Sequence, residues 1–202
     1  MTGSKFKRYA LVTTLVVALT TVAVFATIHY MQTKTVENAM STKASGVYLE
    51  ELFNPLDQWV AGETKQKEVW FGNHEETDQV IRFTIKEVWT DADGNEFTDP
   101  DDGATINWTD ALKDDWTQLG DYYYYNSVLA PEDVTDKVMT GVSFSNTINN
   151  GGYGNTADYS DKTYSLTITM EALPVDADVV LANWSVTMTQ AETVLTWSNV
   201  AS

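Results

Sequence analysis

Chemistry is most concentrated in the acidic stretch after residue 90. Asp91, Asp93, Asn95 and Glu96 set side-chain oxygens at closely spaced positions, and Asp99, Asp101 and Asp102 follow. Oxygen sets of this kind suit a hard cation such as Ca²⁺. The order is that of an opening EF-hand loop, but Gly94 falls two residues early and no flanking helices are expected. Asp-Gly between strand-like runs is also the composition of a tight hairpin turn that needs φ > 0. An acidic hairpin tip is therefore favoured over a calcium site at Asp91, Asp93, Asn95 and Glu96, and no resident cofactor is expected.

Other catalytic sets are sparse. The only histidines are His29 and His74, whereas a helical zinc protease site needs two histidines one turn apart around a glutamate. His74 sits in a Gly72-Asn-His-Glu-Glu76 turn and is expected to be solvated. No Gly-x-Ser-x-Gly elbow occurs. With 29 acidic residues, some carboxylates will be close together by chance, so a close pair would not by itself indicate glycosidase chemistry. The absence of cysteine excludes disulfides, thiolate metal sites and a thiol nucleophile. The chain is expected not to be an enzyme. In a strand, the run Tyr122-Tyr-Tyr-Tyr125 points two rings each way. One pair is expected in the core, and the other on a packing surface between subunits rather than on a sugar platform.

The elements that would position these residues are read from periodicity. Val47 and Leu49, Val69 and Phe71, and most clearly Ile81, Phe83 and Ile85 alternate with polar or outward residues, as in half-buried strands. Further strands are expected in residues 122–129, 138–144 and 164–170. Asn54-Pro55, Ala61-Gly62 and Gly72-Asn73 punctuate the earlier strands. Residues 149–155 are expected to be a loop. Residues 177–184 read as a short helix, and residues 110–116 as a second candidate. No internal repeat is visible. The fold class expected is all-β: an antiparallel β-sandwich of jelly-roll type with one or two short helices, preceded by a signal peptide and an extended N-terminal arm.

Residues 11–28 carry no charge, and Lys5, Lys7 and Arg8 stand just before them. This is the order of an export signal. Thr13, Thr14, Thr20 and Thr21 dilute the apolar run, whose length is near the lower limit for spanning a hydrocarbon core of about 30 Å. Small side chains near Ala26 place cleavage between Ala26 and Thr27, with a retained membrane anchor as the alternative. The expected organisation is a signal peptide over residues 1–26, an arm over 27–45 and a sandwich domain over 46–202. The C-terminal extension 185–202 is left open between strand and capping helix.

Nine of the 12 basic residues and all 29 acidic ones follow the apolar run, so the exported part carries a formal charge of −20. Such a surface repels nucleic acid and anionic lipid. No nucleic-acid partner is expected, and membrane contact only through the uncleaved signal.

Laid out in order, the segments Val36-Glu-Asn-Ala-Met40, Gly46-Val-Tyr-Leu-Glu-Glu51, Asp57-Gln-Trp-Val-Ala-Gly-Glu-Thr-Lys65 and Lys67-Glu-Val-Trp-Phe-Gly-Asn73 carry a resemblance. So do Gln79-Val-Ile-Arg-Phe-Thr-Ile-Lys-Glu-Val-Trp89, Gly120-Asp-Tyr-Tyr-Tyr-Tyr-Asn126, Val128-Leu-Ala-Pro-Glu-Asp-Val-Thr135 and Leu166-Thr-Ile-Thr-Met-Glu-Ala172. The ordered set, over residues 36–184, resembles the TasA, camelysin and BsaA-like group of exported bacterial matrix proteins, closest to the BsaA-like branch. That group depends on a SipW-type signal peptidase.

The resemblance implies a jelly-roll subunit that is secreted to the extracellular matrix or cell surface and polymerises into biofilm fibres. It implies two partners: the export signal peptidase, and copies of the chain itself in a head-to-tail polymer. The mature arm would be donated as a strand to the neighbouring subunit. In this chain the arm shows no evident partner in its own domain, and Ile28, Tyr30, Val36 and Met40 are its donor-strand candidates. Two departures stand out: residues 185–202 extend past the family's aligned part, and Pro174 replaces an expected polar residue. The camelysin label of metallopeptidase is not supported by any HExxH motif. A monomeric cell-surface adhesin, with calcium as a candidate ligand, is the alternative function.

Overall fold

The computed structural model describes residues 32–37, 46–52, 61–100, 102–148, 157–159 and 162–200. The chain divides at Gln32/Thr33, and the account below concerns the unit that follows. Twelve strands and two short helices are described. One antiparallel sheet, sheet A, has the order β1-β10-β4-β8-β7: β1 is Gln32–Glu37, β10 Thr163–Pro174, β4 Gln79–Thr90, β8 Tyr122–Tyr125 and β7 Trp116–Leu119. A short β5 (Glu96–Phe97) joins β4 beyond the turn. Sheet B has the order β2-β3-β9-β6: β2 is Val47–Leu52, β3 Thr64–Asn73, β9 Met139–Phe144 and β6 Ala104–Trp108. The strands β11 (Val186–Ala191) and β12 (Val194–Asn199) form a separate hairpin.

The alternation seen in the sequence sorts the side chains between the layers. In β4, Ile81, Phe83, Ile85 and Trp89 face sheet B, and in β10, Leu166, Ile168, Met170 and Ala172 do the same. Opposite them, sheet B supplies Val47, Leu49, Val69, Phe71, Met139 and Val142. The result is an antiparallel β-sandwich with one aromatic-rich core. Phe83 stacks on Phe71 (5.1 Å) and Tyr123 (4.9 Å) and meets Trp116 edge-on at 5.0 Å. Offset and edge-to-face geometries at these distances add about 0.5–1.5 kcal/mol per pair beyond area burial.

Local chemistry explains the reversals. At the β4–β5 turn Gly94 takes φ +83, Gly94 N–H donates to Asp91 O (3.0 Å) and Asp91 N–H to Asn95 O (2.9 Å), as Asp-Gly composition requires. Between β3 and β4, the fully buried Asn73 donates from Nδ2 to Thr77 O and Leu129 O, and its Oδ1 accepts from Glu75 N–H. No polar atom of that amide is wasted. Gly72 lies under the Tyr48 ring, where a Cβ would approach to 2.3 Å, so glycine is required there by close packing.

The helix α1 (Asp110–Asp114) is shorter than expected, because Trp116 already belongs to β7 and is buried in the core. The helix α2 (Ala177–Trp184) matches its expected span. Asp176 caps it, Oδ1 accepting from Asp178 and Val179 N–H, and Ser185 ends it at φ 55. Pro174 closes β10 opposite Gln79, at the end of the ladder where a missing N–H is tolerated. The C-terminal extension, for which the sequence allows strand or helix, is the β11–β12 hairpin. The expected loop at 149–155 lies outside the described residues.

Candidate functional site

The acidic tip is built around its own backbone. Asp91 Oδ1 accepts from Asp93 N–H (3.0 Å) and Asn95 N–H (2.8 Å), and Asn95 Nδ2 reaches both carboxylate oxygens. These bonds, those from Asn95 first, hold the Asp91 carboxyl below its ordinary range. Asp93 and Glu96 are exposed. Asp99 is engaged as well: both of its oxygens accept from Gly103 N–H, and the Tyr159 hydroxyl donates to it. Among the described residues no group of three or more His, Cys, Asp or Glu is placed to hold a metal ion. Asp101 lies outside the described residues.

His74 corrects its sequence reading. It is not simply solvated: its ring stacks on Tyr48 at 4.3 Å, Nδ1 lies 3.3 Å from Glu132 Oε2, and its N–H donates to Gly46 O. The turn that carries it packs against the start of β2, a tertiary contact that a local turn motif does not reveal.

The arm is the second expected site. Val36 lies in β1, while Ala26, Thr27, Ile28, Tyr30 and Met40 lie outside the described residues. The expectation that the arm has no partner in its own domain is corrected, since β1 pairs with β10 of the same chain at the end of sheet A. An edge strand is recruited by the unpaired N–H and C=O groups of its neighbour, and that demand leaves no side-chain period in a polar segment.

The tyrosine run divides as its period requires. Tyr123 and Tyr125 pack on the main core, and Tyr122 and Tyr124 on the opposite face of sheet A. The assignment of the second pair to a surface between subunits is corrected. Tyr124 is fully buried, in contact with Trp184 of α2 (5.8 Å) and Trp197 of β12 (5.0 Å).

Beside it lies a group that strand periodicity does not reveal. Arg82 is buried, with Nη2 at 2.7 Å and Nε at 2.9 Å from Glu171 Oε2, while Nη1 donates to Tyr124 Oη (3.0 Å). Its guanidinium lies 3.8 Å from the Tyr122 ring centroid and 4.7 Å from that of Trp184. A planar, weakly hydrated cation suits such an aromatic sandwich. The signal in the sequence is an outward-facing arginine in the clearest strand, but its partner stands 89 residues away. Comparison with protein-family models, with curated proteins and with solved structures found no match to this chain.

Proposed function

We propose that the chain is a non-catalytic structural subunit of an extracellular filament or biofilm matrix, polymerising by donation of the segment that forms β1. The observation that carries this reading is the position of β1. It comes from the polar arm that follows the expected export signal, it stands at the end of sheet A, and among the described residues β10 is its one strand neighbour. An identical segment from a second copy would offer β10 the same main-chain donors and acceptors. Exchange of β1 therefore conserves backbone pairing while linking two subunits. A head-to-tail exchange that does not close yields filaments rather than rings. Removal of the signal between Ala26 and Thr27 would free the arm for exchange.

The test is deletion of residues 27–45 from the secreted chain. The truncated protein is expected to remain folded by circular dichroism and to form no fibres by electron microscopy. Fibres of unchanged length would overturn the proposal.

A further inference from the structure

The C-terminal hairpin has two unlike faces. Val186, Met188, Leu195 and Trp197 are buried against sheet A. The cross-strand pairs Thr187–Ser198, Thr189–Thr196 and Ala191–Val194 form the other face, and all six residues are exposed. None of them is charged. In a chain that is 20% charged, with a net charge of −17, Glu192 is the one charged residue of positions 179–202. Three of the exposed large apolar side chains, Leu181 (45%), Val194 (54%) and Val200 (49%), belong to this same stretch.

The edge of the hairpin is equally free of charge, and α2 packs beside β11. Among the described residues β11 has a strand neighbour on one side only. Its sequence, Val-Thr-Met-Thr-Gln-Ala, runs in unbroken register with β12 and contains no Lys, Asp, Glu or Pro. Those residues, together with bulges and short length, are the usual protection against edge pairing. Other edges of the molecule have it: β1 includes Lys34 and Glu37, β2 includes Glu50 and Glu51, and β6 breaks register between Asn107 and Trp108. The edge strand β7 is only four residues long and lies beside β12.

We infer that β11 is the docking edge for a second copy of this chain, which pairs its own β11 antiparallel about a two-fold axis to make one four-stranded sheet. Antiparallel pairing of identical strands is self-complementary, so each copy satisfies the other's open N–H and C=O groups. Charge favours this occupant. Two strongly acidic copies repel wherever acidic surfaces meet, and a neutral, β-branched patch lets them approach. A basic partner would gain nothing there from the acidic surface. The interface uses the edge of β11 and not β1, so the inference does not rest on strand donation. In a filament it would join neighbouring strands laterally.

The chain contains no cysteine, so single-cysteine variants report contacts without background. Facing residues in an antiparallel pair stand about 4.5–5.5 Å apart, within disulfide reach. Thr187→Cys, Thr189→Cys and Ala191→Cys would be oxidised in the otherwise intact exported chain beside a Lys113→Cys control on α1. At least one β11 variant is expected to give about tenfold more disulfide-linked dimer than the control. Adding Thr189→Lys to the best cross-linking variant at position 187 or 191 is expected to remove that excess while the melting temperature stays unchanged, because a charged edge resists pairing. Equal cross-linking at Lys113→Cys, or a cross-link insensitive to Thr189→Lys, would overturn the inference.

Deletion of residues 27–45 should leave the cross-link intact, and its loss on that deletion would also overturn the inference. A cross-linked dimer without fibres in the exported chain would sink the filament proposal alone. Fibres without a β11 cross-link would sink this inference alone.

Discussion

The two faces of sheet A are packed by different means. On the inner face, β4, β8 and β10 meet sheet B through Ile81, Phe83, Tyr123, Ile168 and Met170, an apolar layer whose aromatic rings interlock. On the outer face the same three strands present Val80, Arg82, Tyr124, Glu171 and Leu173 to α2 and the β11–β12 hairpin. The inner layer gains from apolar area and from the geometry of its aromatic pairs, with no charge to satisfy. The outer layer contains an ion pair removed from water, which is stable only while every member is present. A cap that covers a buried charge is thus specified by that charge as well as by its apolar contacts.

The sharpest way to test the contrast is to damage each face in turn. Phe83→Ala opens a cavity among Phe71, Trp116 and Tyr123 and is expected to lower unfolding free energy by about 3–5 kcal/mol in urea titration, with loss of the near-ultraviolet circular dichroism of the whole domain in one transition. Glu171→Ala leaves Arg82 charged and unpaired beneath the cap, for a cost of about 3 kcal/mol. The double variant Arg82→Met, Glu171→Leu is expected to recover most of that loss, because an apolar pair of similar volume needs no partner. A double variant as unstable as the single one would show that the outer face depends on the ion pair for more than charge balance.

A smaller effect separates paired from unpaired charge. Where the inner face meets solvent, Asp115 lies near Asp136 and Asp114, and burial first, then these like charges, raise its carboxyl above the ordinary range. A raised carboxyl favours the folded state at low pH, and that contribution is lost as pH rises through the folded value. Asp115→Asn should therefore stabilise the protein at neutral pH, by on the order of a few tenths of a kcal/mol after solvent screening. The gain should vanish once the pH falls below the carboxylate range. Melting temperatures of parent and variant compared across that range check the sign, and a gain confined to low pH would reverse it.

Much of the inner layer is legible in the order of residues. The alternation of Ile81, Phe83 and Ile85, the Asp-Gly turn at Gly94, the run Leu166 to Met170 and the helix over 177–184 each express local physics, because a period of two or a cap acts within a few residues. The strands β6, β7, β11 and β12 are not legible in that way. They are short, and their faces are defined by what covers them. The acidic tip shows the same limit. Asp91 is visible in the sequence as a source of ligand oxygens, yet those oxygens are directed at the turn's own N–H groups.

By itself, then, the sequence determined an all-β chain without cysteine chemistry, an acidic surface, an uncharged N-terminal run and the inward period of the longest strands. Each follows from composition or from neighbours a few residues apart. The tertiary structure alone decided that β1 joins β10, that Arg82 meets Glu171 under Trp184, and that the C-terminal stretch folds back as a hairpin with uncharged strands. Those outcomes depend on backbone edges and buried charges seeking partners far along the chain, a demand that the order of residues records without saying where it is met.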